Sequence, residues 1–337
     1  MNHSPKKRIV VVGGGTGTHT VLRGLKMYST LLDITAIVTM ADSGGSTGRL
    51  RDEFGQLPVG DVRMALSALA SAEGTHDELL RELFLYRFSK GVGLSGHTFG
   101  NLFLTALTDI LGSSSEAILT AGKVLRVSGS VIPVTIDNVH LKATYNDGYV
   151  VVGEHHIDMP PVSRHHNLIT KLELTPAATL NPLAASALID ADVIVFGPGD
   201  LYTSIIANCV VEGFAEVVSE SKATIIYVSN LMSRPGQTVG MHTAEHTAEL
   251  SAYLGRLPDY VLINTAPFPA DVIARYDFEG TYPVENNSDG EGYVIQAKDL
   301  VATESIVTVA GDVVARSLIR HDSHKLAEAI VAIATQA

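Results

Sequence analysis

The chain has 337 residues, with 24 Lys+Arg against 36 Asp+Glu and a formal net charge of −12. That balance excludes a polyanion binder, which needs a concentrated basic face; the one short cluster, Lys6-Lys7-Arg8, reads as a solvated terminus ahead of the first strand. A hydrophobic fraction of 46% excludes disorder, no run approaches the roughly 18 apolar residues of a membrane span, no apolar signal region opens the chain, and the single Cys209 cannot form an internal disulfide. A cytoplasmic chain without nucleic acid and without membrane insertion is expected, with homo-oligomer formation left open.

In chain order, Arg8 to Val12 is a β-branched run that ends at Gly13-Gly14-Gly15-Thr16-Gly17, and a helix is expected over Val21 to Met27. Ile34 to Thr39 is a second run and leads to Asp42-Ser43-Gly44-Gly45-Ser46-Thr47-Gly48-Arg49, then to Pro58 to Arg63 and a helix over Val62 to Ala70. From about 76 to 128 the pattern is helical, with Leu79, Leu80, Leu83, Phe84 and Phe88 near i, i+3, i+4 spacing, interrupted by Gly91 to Gly96. From about 131 to 157 the period becomes two: Val139, Leu141, Ala143 and Tyr145 alternate up to Asn146-Asp147-Gly148, and Tyr149 and Val151 continue beyond it, which predicts a β-hairpin. A helix over Leu183 to Ala187 precedes Val193 to Phe196, which leads to Gly197-Pro198-Gly199-Asp200. Thr224 to Val228 leads to Ser229-Asn230, a helix is expected over Gln237 to Leu254, and Val261 to Ile263 ends at Asn264-Thr265.

Continuous Val- and Ile-rich runs of four to six residues are what strands buried on both faces look like. Alternating with helices, they predict an α/β fold with a doubly wound, mostly parallel sheet, elaborated by the helical and hairpin stretches. Without a Pro/Ser linker, charge block, repeat or low-complexity stretch, residues 1–337 are expected to form one unit.

In such a sheet every strand delivers its following loop to one edge, where ligands bind. Glycine admits positive φ and lets a ligand reach backbone N–H groups, and a helix start adds free N–H groups and a positive dipole end, so a phosphate is the natural occupant. Neither nucleotide motif is complete: counting G-x-G-x-x-G from Gly13 puts Thr18 at the third glycine, and no G-x-x-x-x-G-K-[ST] occurs. Asp42, at a strand end, could bind a ribose hydroxyl, hold Mg²⁺ through water, or act as a general base. Ser43 to Gly48 can wrap an anion that Arg49 or Arg51 would clamp, and Asp61 and Arg63 stand at a helix start, where Asp61 could equally be only an N-cap. His97, in Gly96-His97-Thr98-Phe99-Gly100-Asn101-Leu102, could donate to a phosphate or orient a base, or simply belong to a capped helix start. His242-Thr-Ala-Glu245-His246 has zinc-protease spacing, a cheap match in a chain with 13 His, while His155-His156 and His165-His166 read as surface residues and Cys209 as an inert core thiol.

Taken together, Gly13 to Gly17 with Leu22-Arg23-Gly24-Leu25, Ala41 to Leu50, Pro58 to Arg63 with Gly96-His97 and Gly100-Asn101-Leu102, and Gly197 to Ile205 with Asn230-Leu231-Met232 and Pro235-Gly236-Gln237-Thr238 resemble the YvcK group of gluconeogenesis factors, within the CofD-like family. The resemblance runs from the first strand to about Asn264 and implies a Rossmann-like sheet that binds a nucleotide. In the YvcK group it implies UDP-sugars such as UDP-N-acetylglucosamine and a role in cell shape and envelope synthesis on gluconeogenic carbon sources; in the CofD branch it implies a Mg²⁺-dependent 2-phospho-L-lactate transferase. Motif by motif it carries over Gly13, Gly14, Gly15, Thr16, Gly17, Asp42, Ser43, Gly44, Gly45, Ser46, Arg49, Gly197, Gly199, Leu201, Tyr202, Thr203, Ser204 and Asn230 as nucleotide and phosphate contacts, to which the loop reading adds Arg63, His97 and Asn101. Ser43 stands where such sequences often have a second Asp, and Ser233-Arg234 replace the usual Thr-Gln. The leading expectation is a UDP-sugar-binding regulatory protein, with the diphosphate on N–H groups of the Gly13 and Gly197 loops and Asp42 toward the sugar. The competing one is a transferase in which Asp42, with Mg²⁺, activates an attacking hydroxyl; NAD binding is a third.

Overall fold

The computed structural model describes residues 5–71, 74–303 and 318–336, so parts of the expected 1–337 unit lie outside the described residues. Seven strands form one parallel sheet in the order β10-β9-β8-β7-β1-β2-β3. They are β1 (Lys7–Gly13), β2 (Leu32–Val38), β3 (Ser130–Pro133), β7 (Val193–Phe196), β8 (Thr224–Val228), β9 (Tyr260–Asn264) and β10 (Val294–Lys298). Among the described residues three more, β4 (His140–Tyr145), β5 (Val150–Val152) and β6 (Ile169–Thr175), make an antiparallel sheet in the order β5-β4-β6.

Both faces of the large sheet are covered, which is why its strands read as unbroken apolar runs. Ile9 and Val11 of β1 pack on one face with Val21, Leu22, Val62, Leu66, Leu104, Leu326 and Ile330. Val10 and Val12 face the other way and pack with Leu141, Ala143 and Leu172 of the small sheet and with Leu188, Phe214 and Leu250. The chain winds outward from β1 through β2 to β3, then returns to the other flank of β1 and winds through β7 to β10. Strand order therefore reverses between β1 and β7, and the loops after Gly13 and Phe196 leave the carboxyl edge side by side at this switch point, where sheets of this kind form their ligand crevice.

The expected hairpin is present, with Lys142 opposite Val152 and Ala143 opposite Val151. The 131–157 stretch nevertheless divides, because residues 130–133 pair with β2 at the edge of the large sheet. Strands β6 and β10 lay outside the predicted runs. Ile-Thr-Lys-Leu-Glu-Leu-Thr and Val-Ile-Gln-Ala-Lys carry polar residues on their open faces and lack the continuous apolar signature. Two helix starts also move: the first helix begins at Gly15, within the glycine loop, and the helix expected from Gln237 begins at Thr243, after a turn in which Gly240 has φ +81°. Among the described residues no helix is long and apolar enough to cross a membrane.

Candidate functional site

Three helices and a π-helical turn begin at the carboxyl edge of the sheet: α1 (Gly15–Leu25) after β1, α2 (Gly45–Phe54) after β2, α3 (Gly60–Leu69) immediately downstream, and Leu201–Ile206 after β7. None is capped by the side chain of its own N-cap residue, Gly14, Gly44, Val59 and Asp200 respectively. Their first-turn N–H groups are therefore left to partners from elsewhere in the crevice or to a ligand. The β1 and β7 loops are in direct contact, since a Cβ on Gly17 would collide with the Pro198 carbonyl. Asn230, after β8, fastens the second loop by donating from Nδ2 to the Gly199 carbonyl at 2.7 Å, and accepts from the Tyr227 hydroxyl at 3.2 Å.

Most of the predicted residues converge here, though several use their groups on one another. The Gly15 N–H donates to Asp61 Oδ1 at 2.8 Å, so a carboxylate already caps α1 where an anion was expected. Gly197 N–H bonds the Val12 carbonyl at 3.2 Å, within the β1–β7 join. The donors left to a diphosphate are then further into the turns, at Thr16 and Gly17 and at Gly199 and beyond. Asp42 Oδ1 accepts from Gly44 N–H at 2.8 Å, and Ser43 is pinned between the two sheets, its N–H on Glu154 Oε2 at 3.3 Å and its Oγ accepting from His155 N–H at 3.1 Å. Gly60 is the residue that lets Asp42 sit against the start of α3, since a Cβ there would overlap Asp42 Oδ2 and the Thr47 hydroxyl.

Ser46, His97, Asn101 and Arg63, from three separate segments, form one chain of hydrogen bonds. Ser46 Oγ lies 2.9 Å from His97 Nδ1 and accepts from Asn101 Nδ2 at 3.1 Å, while Asn101 Oδ1 accepts from Arg63 Nε at 2.8 Å. Thr98 caps its helix by accepting from Asn101 N–H, which aims the Asn101 side chain at the crevice end of α2. Burial, followed by Arg49, holds His97 below its ordinary pKa, and burial brings Arg63 down to about 10. A neutral imidazole keeps one ring N–H that it can donate to an oxyanion.

Burial makes the acids of the crevice bind their protons more tightly than usual. Burial and then Asp42 push Asp61 up to about 7, and burial, Asp42 and Asp158 push Glu154 up to about 10. Burial likewise raises Asp42 and Asp200, against the hydrogen bond from Gly44 in the first case and the attraction of Arg234 in the second. Such crowding of buried carboxyls recurs at functional sites.

The side chains of Leu201 and Tyr202 turn away from the crevice, which leaves their backbone to meet a ligand. Both side chains are buried in the core, and the Tyr202 hydroxyl donates to the Ile169 carbonyl at 3.1 Å and to Glu249 Oε1 at 3.0 Å, because the π-helical turn packs all its side chains but that of Ser204 inward. Thr203 is also buried and donates to Asp158 Oδ1 at 2.8 Å, leaving Ser204 half-exposed at the rim. Arg49 is exposed and bonds the Ser95 carbonyl at 3.0 Å, and Arg51 is buried against the Val139 carbonyl at 2.5 Å, a packing role. His246 is fully buried with its pKa lowered to about 4, and Glu245 accepts from the His242 N–H at 3.0 Å, so the zinc spacing closes a helix turn instead.

Sequence reasoning missed Glu154, Asp158, Arg234 and Gln237. Glu154 and Asp158 sit on a short helix (Glu154–Asp158) brought over the crevice by the small sheet, and without β6 in the reading nothing located that helix. Two clefts of about 510 and 420 Å³ open at the opposite edge, around Thr224, Asp259 and Tyr260 and around Lys7, Arg8 and Asp192. They sit at strand starts, and Arg8 there is already paired with Asp190 and Asp192.

The comparisons agree with this architecture. The family model described as 2-phospho-L-lactate transferase CofD matches residues 9–303. A Nostoc sp. relative is 46% identical over 280 residues, 82% of this chain but 59% of the relative's own length. The Bacillus subtilis protein named gluconeogenesis factor is 39% identical over 330 residues, covering 97% of this chain and 98% of that one. A crystal structure of a UPF0052-family protein from Bacillus halodurans superposes with a TM-score of 0.86 at 36% identity, covering 98% of this chain and all of that one.

Proposed function

The chain belongs to the CofD family, in its gluconeogenesis-factor group, and from that premise we propose that it binds a UDP-sugar such as UDP-N-acetylglucosamine in the crevice between β1 and β7. The observation that carries this reading is the meeting of two glycine-led turns, Gly13–Gly17 and Gly197–Ser204, neither capped by its own N-cap side chain, at the point where strand order reverses. Backbone N–H groups of both turns receive the diphosphate, the Ser46–His97–Asn101–Arg63 chain supplies a fixed cation to one side, and Asp42 faces the sugar. The protein then acts as a cytoplasmic binding or regulatory protein in cell shape and envelope synthesis on gluconeogenic carbon sources, the role its resemblance to the YvcK group implies.

Calorimetric titration of the pure protein with UDP-N-acetylglucosamine, GDP, GTP and NAD tests this directly. Saturable one-site binding of the UDP-sugar in preference to the other three is expected, and its absence at millimolar ligand refutes the reading. Turnover of a phospholactyl-nucleotide donor, abolished in Asp42→Asn, would instead make the chain a transferase.

A further inference from the structure

The CofD likeness implies a Mg²⁺ at Asp42, and the carboxylates of the crevice fit that ion poorly. Mg²⁺ demands near-octahedral oxygen ligands at about 2.0–2.1 Å, usually one or two carboxylates with the rest from water and phosphate. Here Asp42 Oδ1 is engaged by the Gly44 N–H, and the next residue is a serine whose Oγ accepts from His155. Asp61 Oδ1 is engaged by the Gly15 N–H, and Asp158 Oδ1 accepts from both Thr203 Oγ1 at 2.8 Å and Gln237 Nε2 at 2.9 Å. Among the described residues no three His, Cys, Asp or Glu side chains gather in a group that could hold a metal ion.

What stands among these acids is a guanidinium. Arg234 reaches into the crevice after β8, with Nε 3.8 Å from Asp200 Oδ2, Nη2 3.6 Å from Asp158 Oδ2, and Nη2 donating to the Asp158 carbonyl at 3.4 Å. It thereby links the helix that carries Glu154 and Asp158 to the N-cap of the turn after β7. Its Nε is buried and makes no hydrogen bond, facing the Asp200 carboxyl at the end of the Gly199 loop. A planar guanidinium matches a phosphate's paired oxygens as a spherical cation does not.

We propose that Arg234 is the resident counter-cation of this crevice, taking the place of a divalent metal among Asp158 and Asp200 and making nucleoside-diphosphate binding here metal-independent. The ligand part rests on the function proposed above; the exclusion of a divalent cation by a fixed positive charge does not.

Mn²⁺ alone, followed by the electron paramagnetic resonance signal of the free ion, tests that second part on the full chain. The parent protein should retain no Mn²⁺ at submillimolar concentration. Arg234→Gln should gain a single Mn²⁺ site, about ten- to a hundredfold tighter than any retention by the parent, and that site should vanish when Asp200→Asn is added. Arg234→Lys, which keeps the charge, should resemble the parent. A parent protein that already binds Mn²⁺ through Asp200, or a folded Arg234→Gln that gains no site, overturns the proposal. Should Arg234→Gln fail to fold, the parent and Arg234→Lys titrations decide by the same criteria. For the ligand part, the dissociation constant of UDP-N-acetylglucosamine should be unchanged by replacing Mg²⁺ with EDTA; weakening by about tenfold or more overturns it. No UDP-sugar binding in either buffer refutes the proposed function while the Mn²⁺ result still stands.

Discussion

Replacing Gly17 by Ala puts one methyl group where the β1 and β7 loops touch. The added Cβ would lie 2.5 Å from the Pro198 carbonyl carbon and 3.0 Å from the Gly199 nitrogen, with the Pro198 oxygen closer still. Comfortable carbon contacts begin near 3.5 Å, so the two loops must part by about 1 Å, and backbone cannot rotate aside as a side chain can. Overpacking of this kind costs about 1–3 kcal/mol, offset by about 1 kcal/mol because alanine is the better helix former. Gly24, two turns further along α1, supplies the control: a Cβ there would meet the Ser323 carbonyl carbon at 2.9 Å and the Ala327 Cβ at 2.8 Å, far from the crevice. Thermal melting should show similar modest losses for Gly17→Ala and Gly24→Ala. Calorimetry should show weakened UDP-sugar binding only for Gly17→Ala. Equal weakening in both variants, or undiminished binding by Gly17→Ala at matched stability, would refute the claim that the join of the two loops is the ligand site.

Tyr202→Phe should lower stability by about 0.5–1.5 kcal/mol through the loss of its buried hydrogen bonds and leave ligand affinity unchanged; a change in affinity at constant fold would show that the hydroxyl reaches the ligand. Asp61 binds its proton more tightly when folded, near pH 7, than at its ordinary value of 3.8. The folded state thus holds the extra proton across that interval, and this contribution to stability is complete below 3.8, declines as pH rises, and is gone above about 7. Melting temperatures of Asp61→Asn should accordingly fall less steeply than those of the parent between those limits, and parallel curves would contradict the assignment.

The parallel sheet was legible because burial on both faces forces unbroken apolar strands, as in Ile9 to Val12 and Val193 to Phe196. The glycine-led loops were legible for a related reason: Gly17 and Gly60 each stand where a side chain would collide with a loop from elsewhere in the chain. Asn101 and His97 could be singled out from a helix start, yet their partners Ser46 and Arg63 lie 51 and 38 residues away and are fixed only by the packing of α2, α3 and the helix from Phe99. Glu154 and Asp158 had no local signal at all, and Arg234 showed only as a departure, with Ser233, from the usual Thr-Gln. The positions of Glu154 and Asp158 depend on how the small sheet folds over β1 and β7, and β6, with polar residues on its exposed side, gives little sign of itself in the sequence.

The central claim is a location, a UDP-sugar held between the loops after β1 and β7, and amide hydrogen exchange with and without UDP-N-acetylglucosamine tests it most directly. Protection should concentrate in residues 13–17 and 199–204, with the strand starts at Lys7, Asp192 and Thr224 unaffected. Protection at those strand starts, or at neither edge despite saturation, would contradict it.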